Sequence, residues 1–264
     1  MVKSDEIIKT MEQYFSTDGK MHYFGDDTAV TWLNSVFASS IPYVGDAPDM
    51  FFKKGDLVII IEHFEFDCYR ATKKGSSFRR EEARIQRAFD STPMSGNSLM
   101  IHDEIHGQSS YADYLNNVKR SFAEHYARID QYIENLTEAG AITVASTVKV
   151  VFLIDDVSPL GSIMIDNDAP WGSDTTCIIE LSRCKEFLDL LSSSPKVDYV
   201  IACSSFGSKR IVWFIDRDNI QEYYDHVADY ESMNFLQTNP FVLTGKMLIP
   251  NEEINRQSSV DDEQ

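Results

Sequence analysis

The chain contains the stretch Ala47-Pro48-Asp49-Met50-Phe51-Phe52 and, after Gly55-Asp56, the stretch Leu57-Val58-Ile59-Ile60-Ile61-Glu62-His63-Phe64-Glu65-Phe66-Asp67. Two apolar segments joined by a polar turn predict a pair of β-strands. Asp49 opens the first segment, and Glu62 follows the apolar core of the second. Burying a carboxylate costs several kcal/mol unless a cation or hydrogen bonds compensate it. The two acids therefore indicate a metal site beside the strand pair.

The segments around this pair predict an α/β fold, with a mixed central sheet flanked by helices. Apolar residues at helical or strand spacing mark each element, and Gly140 is expected to end the longest helix. Residues 90–109 are rich in Ser, Gly, Pro and Asn, which predicts a loop. We expect one α/β domain over residues 1–250 and a disordered acidic tail over 251–264. The expected helices are 1–20, 28–39 (capped by Asp27), 78–89, 111–136, 186–191 and 220–227, and the further strands are 148–154, 178–181, 197–203 and 210–215.

Composition favours a globular protein over a membrane-spanning or secreted one. The chain has 264 residues, of which 43% are hydrophobic, so it can bury a sizeable core. Its longest apolar run is Leu57 to Ile61, whereas a membrane-spanning helix needs about 20 apolar residues. The first residues lack the pattern of a signal peptide, so we expect a cytoplasmic protein without membrane contact. The four cysteines show no metal-binding spacing and are expected to be reduced.

Charge is distributed unevenly along the chain. The formal net charge is −18, which disfavours nonspecific coating of nucleic acid. Residues 70–87 nevertheless hold seven basic and two acidic residues. One interpretation is a solvated helix face on which Glu81 and Glu82 pair with the arginines. The other is a nucleic-acid contact through residues 70–87, in which the basic side chains bind phosphate.

The order helix, strand pair, helix, strand, together with Pro48-Asp49 and then Glu62, resembles the PD-(D/E)XK nuclease superfamily over roughly residues 28–155. The resemblance implies a restriction-endonuclease-like core and a nuclease-like phosphodiesterase. It further implies that Asp49 and Glu62 bind Mg²⁺, which activates water and stabilises charge on the scissile phosphate. The family's lysine is missing, because Phe64 stands two residues after Glu62. Lys73 and Lys74 are the local substitutes for it, and Arg79, Arg80 and Arg84 are the expected phosphate contacts.

Other interpretations remain open at this point. Asp49 could begin a turn while Glu62 pairs with an arginine, in which case the chain is a catalytically inactive interaction protein that binds a protein partner through its acidic surface. His63, Glu65 and Asp67 should face away from Glu62, Phe64 and Phe66, so a second acidic pair is conceivable there. Asp155 and Asp156 follow a buried strand. In α/β proteins this position often holds catalytic acids, here those of a small-molecule enzyme. The Val-Ser-Pro-Leu-Gly that follows favours the other interpretation, a turn.

Overall fold

The structure of the chain is a computed structural model. It describes residues 21–44, 47–72, 75–76, 80, 83–85, 87–88, 91, 98–104, 109–158, 163–166, 176–206, 209–235 and 241–247. Two compact units are present, one within residues 1–68 and 109–236 and the other within residues 69–108 and 237–264. No helix in the described part of the chain is long and apolar enough to cross a membrane. The expected first helix and the expected acidic tail lie outside the described residues.

Helices and strands are interspersed along the described part of the chain, without a regular alternation. In chain order they are β1 (Met21–His22), α1 (Thr28–Ser39), β2 (Pro42–Val44), β3 (Met50–Lys54), β4 (Leu57–Phe66), β5 (Ala71–Thr72), β6 (Gly75–Ser76), β7 (Ser98–Glu104), α2 (Tyr111–Tyr126), α3 (Ile129–Glu138), β8 (Thr147–Asp156), β9 (Ile163–Asp166), β10 (Thr176–Ile178), a 3-10 turn (Leu181–Arg183), α4 (Lys185–Ser192), β11 (Tyr199–Phe206), β12 (Lys209–Asp216), a second 3-10 turn (Arg217–Asn219), α5 (Ile220–Tyr224), β13 (Met233–Phe235) and β14 (Phe241–Met247).

A seven-stranded mixed sheet forms the centre of the first unit, in the order β1-β12-β11-β8-β4-β3-β2. The central strands β4, β8 and β11 are parallel, whereas β3 runs antiparallel to β4. The carboxyl ends of the three parallel strands therefore meet at one edge of the sheet. The start of β3 lies at the same edge. The α/β class predicted from the sequence is confirmed, and so is the strand pair of β3 and β4.

One face of the sheet packs on α1. Val30, Leu33 and Val36 of this helix join an apolar cluster that includes Met50 and Ile61 from the paired strands β3 and β4. The helix bounds agree with the prediction, but its cap does not. The Asp27 side chain makes no cap hydrogen bond, and the Thr28 N–H instead donates to Asp26 Oδ1 at 3.0 Å. Ile59 and Ile61 of β4 belong to this cluster, which places them on the face of the strand that packs on α1.

Helices α2, α3 and α4 cover the other face of the sheet. Phe122 of α2 packs edge-on against Phe152 of β8 and Phe187 of α4, with ring centroids 4.9 and 5.9 Å apart. The single long helix predicted over 111–136 is wrong, because the chain leaves α2 at Ala127 and re-enters a helix at Ile129. Gly140 has a φ of 72°, as expected for a glycine that follows a helix end.

Smaller sheets complete the two units. Strands β9, β10 and β13 form a three-stranded sheet in the first unit, while β7 pairs with β14 and β5 with β6 in the second unit. The prediction of a loop over 90–109 is wrong in part, since β7 occupies Ser98–Glu104 and pairs antiparallel with β14. Of the charged helix predicted over 78–89, residues 80, 83–85 and 87–88 are described, and they are helical.

Candidate functional site

Glu62 lies on β4, on the sheet face covered by α2 and α3, and the residue is 3% exposed. Its Oε1 atom accepts two short hydrogen bonds, from His125 Nδ1–H of α2 and from the Tyr132 hydroxyl of α3, each at 2.6 Å. Its Oε2 atom is buried and has no hydrogen-bond partner among the described residues. An acceptor left unsatisfied in the interior costs free energy, so this oxygen needs an explanation.

Asp49 lies at the same edge of the sheet. It directly precedes β3, is 3% exposed, and its Oδ2 atom accepts a hydrogen bond of 2.9 Å from the His63 backbone N–H. His63 is the residue after Glu62, and the β3–β4 register pairs Met50 with Ile61. Asp49 and Glu62 are therefore neighbours across two adjacent strands. Glu62 lies within β4, which continues to Phe66, and not at the strand end where the sequence interpretation placed it.

The two carboxylates, of Asp49 and Glu62, suit a cation that keeps some of its bound water molecules. Within the described part of the chain, no group of three or more His, Cys, Asp or Glu side chains is arranged to hold a metal ion. Two protein carboxylates do not build an all-protein cage. Mg²⁺, however, is commonly bound through one or two carboxylates, with water and substrate phosphate completing its coordination. Asp49 and Glu62 could contribute to a site of that kind, with Glu62 Oε2 as the available oxygen.

The opposite face of β4 carries a second polar contact. His63 Nε2 lies 2.9 Å from Asp155 Oδ2 of β8, and the histidine side chain is 13% exposed. Burial alone would lower the pKa of His63. The hydrogen bond and the charge of Asp155, with Glu65 and Asp49 contributing less, outweigh burial and raise that pKa above its ordinary value. The predicted split of the two faces is confirmed for Glu62 and His63.

Asp155 and Asp156 are the last residues of β8. Residues 159–162, over which the predicted turn would continue, lie outside the described residues. Both acids are buried, at 5% and 4% exposure. Asp156 Oδ1 accepts hydrogen bonds from the backbone N–H and the hydroxyl of Ser158, and its Oδ2 accepts a longer one from Ser204 at 3.4 Å. These contacts assign Asp156 to holding the chain that leaves β8.

The remaining predicted site residues fall into two groups. Lys73, Lys74 and Arg79 lie outside the described residues. Arg80 and Arg84 have helical backbone, are exposed, and belong to the second unit. Phe64, at the position of the family's lysine, is 4% exposed and stacks on His125 with ring centroids 4.8 Å apart. An aromatic contact therefore occupies the place where the resemblance would put an amine.

Two residues at the site were missed by the sequence interpretation, namely His125 and Tyr132. They lie 63 and 70 residues from Glu62 along the chain, so no local spacing connects them with it. The only available signal was two polar-tipped rings on helices whose inner faces are otherwise apolar. The alternative in which Glu62 pairs with an arginine differs from its observed hydrogen bonds, which come from His125 and Tyr132.

The chain was also compared with protein-family models, with curated proteins and with solved structures, and none of them matches it.

Proposed function

We propose that the chain is a Mg²⁺-dependent, nuclease-like phosphodiesterase in which Asp49 and Glu62 bind the cation. The observation that carries this proposal is the buried Oε2 atom of Glu62, which lacks a hydrogen-bond partner among the described residues while Oε1 has two. A cation is the group that best compensates a carboxylate oxygen in such a position. Asp49 supplies the second carboxylate from the adjacent strand.

The order of elements supports the phosphodiesterase class. Helix α1, the strands β2 to β4, the helices α2 and α3, and strand β8 occur in this chain order, with β5, β6 and β7 between β4 and α2. This order contains the helix, strand pair, helix and strand on which the resemblance to the PD-(D/E)XK superfamily was based. A divalent cation at such a site stabilises negative charge on a phosphoryl group and activates water for hydrolysis. In this proposal Lys73 or Lys74 supplies the missing amine, and Arg79, Arg80 and Arg84 bind the phosphate backbone of a nucleic acid.

The test is calorimetric titration of Mn²⁺ and Mg²⁺ into the wild-type protein and into the isosteric variants Asp49→Asn and Glu62→Gln. We expect binding by the wild type and a loss of at least tenfold in affinity in both variants. Asp189→Asn is the matched control, since it removes an exposed acid from α4 and should bind as the wild type does. Absence of binding by the wild type would refute the proposal.

Hydrolysis is tested separately, with single- and double-stranded DNA and RNA in Mn²⁺ and in Mg²⁺. Cleavage that disappears in Glu62→Gln supports the enzyme.

A second candidate function is favoured by one observation, the buried Phe64 in the position of the lysine. It is a noncatalytic protein on the same scaffold, with a protein partner bound by the acidic surface. Absence of cation binding, or cation binding without cleavage of any of the four substrates, would select this candidate.

A further inference from the structure

We infer that Tyr132 and His125 are positioning residues that hold Glu62 so that Oε2 is the oxygen presented to a cation. This inference rests on the proposed function, since it specifies how one ligand of that site is oriented. Neither residue is assigned to contact the substrate. Each is assigned to act through Glu62.

The geometry of the hydrogen bonds carries the first step. Both donors converge on the same oxygen, Oε1, from two different helices, and each lies 2.6 Å from it. A carboxylate only accepts hydrogen bonds, so Nδ1 of His125 and the hydroxyl of Tyr132 are the donors. Two donors fixed on one oxygen hold the plane of the carboxyl group and leave the other oxygen on the far side. Donors placed for neutralisation alone would be expected on both oxygens.

The second step concerns the phenol. The Tyr132 hydroxyl is an uncharged donor that lies 2.6 Å from Glu62 Oε1. A neutral donor of this kind orients the carboxylate without cancelling its charge.

The third step explains Phe64. Its ring stacks on the His125 imidazole at an interplanar angle of 21° and packs edge-on against Phe152, with centroids 5.6 Å apart. Stacking on Phe64 fixes the plane of the His125 imidazole, from which Nδ1 donates to Glu62. Phe64 thus fixes the ring that holds Glu62, which gives a reason for an aromatic residue where the resemblance would put a lysine.

The consequence is that the Glu62 carboxylate is oriented only when α2 and α3, which carry its two donors, are packed on the sheet. Residues that orient a metal ligand from outside the coordination shell typically change metal affinity by about 10- to 100-fold when they are replaced. Tyr132→Phe removes one oxygen atom and keeps the ring, so it tests the hydrogen bond with little change in packing. Tyr126→Phe removes a hydroxyl from the neighbouring helix α2 and serves as the matched control.

The experiment is calorimetric titration of Mn²⁺ into wild-type protein, Tyr132→Phe, Tyr126→Phe, His125→Ala and His125→Asn, with urea unfolding of each in EDTA. We expect about tenfold weaker binding in Tyr132→Phe and His125→Ala, wild-type binding in Tyr126→Phe, and partial recovery in His125→Asn, whose amide can donate from near the position of Nδ1. Affinity should fall even when binding is corrected for the fraction of folded protein measured in EDTA.

The outcomes separate this inference from the proposed function. Wild-type binding together with unchanged affinity in Tyr132→Phe and His125→Ala overturns the positioning role and leaves the cation site standing. A wild type that does not bind Mn²⁺ overturns both. If Tyr126→Phe weakens binding as much as Tyr132→Phe does, loss of helix packing explains the result and the positioning role is rejected.

Discussion

Two carboxylates near the central strands of the sheet are compensated in opposite ways. Asp198, which precedes β11, accepts hydrogen bonds from Lys149 Nζ and from the Val150 backbone N–H, each at 2.8 Å, and Arg217 lies 3.8 Å from it. Both of its oxygens are engaged and cations surround it. Glu62 has two donors on one oxygen and none, among the described residues, on the other.

The difference in hydrogen bonding indicates that Asp198 and Glu62 have different roles. A carboxylate that serves the fold gains most when every lone pair meets a donor, and Asp198 meets that condition where it joins β8 to the start of β11. Glu62 is more deeply buried and less completely satisfied, at a cost to stability. Groups whose local environment is unfavourable in the free protein are concentrated at functional sites, and this contrast is the basis for placing the site at Glu62.

Exchange of each acid for its amide should have the largest effect and tests the contrast directly. Asp198→Asn leaves Lys149 and Arg217 without their shared carboxylate and sets an amide against a donor, so we expect a loss of about 3 kcal/mol in the free energy of unfolding. Glu62→Gln should leave that free energy unchanged or raise it in EDTA. Urea unfolding at neutral pH measures both. A Glu62→Gln variant destabilised as much as Asp198→Asn would remove the distinction.

Addition of a cation should have the next largest effect. A ligand that binds only the folded state stabilises it by about 2.7 kcal/mol when present at 100 times its Kd. We expect Mg²⁺ or Mn²⁺ to raise the unfolding free energy of the wild type and of Asp198→Asn by similar amounts relative to EDTA. Glu62→Gln should show no such gain. Equal stabilisation of all three proteins would place the cation elsewhere.

The sequence predicted the strands more completely than the site. The apolar run of β4 and the apolar stripe of α1 are local patterns, so both elements were identified with nearly correct bounds. Strand β7 was missed because it pairs with β14, so that Glu104 meets Phe241, and such a long-range pairing leaves no local pattern. The break between α2 and α3 was missed because Ala127 and Arg128 are not helix-breaking residues.

The same division holds at the site. Glu62 and Asp49 were recognised because a carboxylate beside an apolar strand is visible in the local sequence. His125 and Tyr132 were not recognised, because only the packing of α2 and α3 on the sheet brings them to Glu62. Which oxygen of a carboxylate is satisfied is a property of that packing. The packing decides whether the acid is fully hydrogen-bonded, as Asp198 is, or keeps an oxygen for a ligand. This packing could not be predicted from the local sequence.

The smallest expected effect concerns the other face of β4, where the Asp155 carboxylate contacts the imidazole of His63. This partner is a cation only when it is protonated, in contrast to the lysine and arginine beside Asp198. The raised pKa of His63 means that the folded state binds its proton more tightly than the unfolded state. Its stabilising contribution is then fully present below the ordinary histidine pKa of about 6.5 and is lost as the pH rises through the raised pKa. We expect His63→Gln to cost about 1 kcal/mol more at pH 5.5 than at pH 9. Urea unfolding of both proteins at the two pH values measures this difference. A cost that does not change with pH would show that the imidazole contributes by packing and not by its charge.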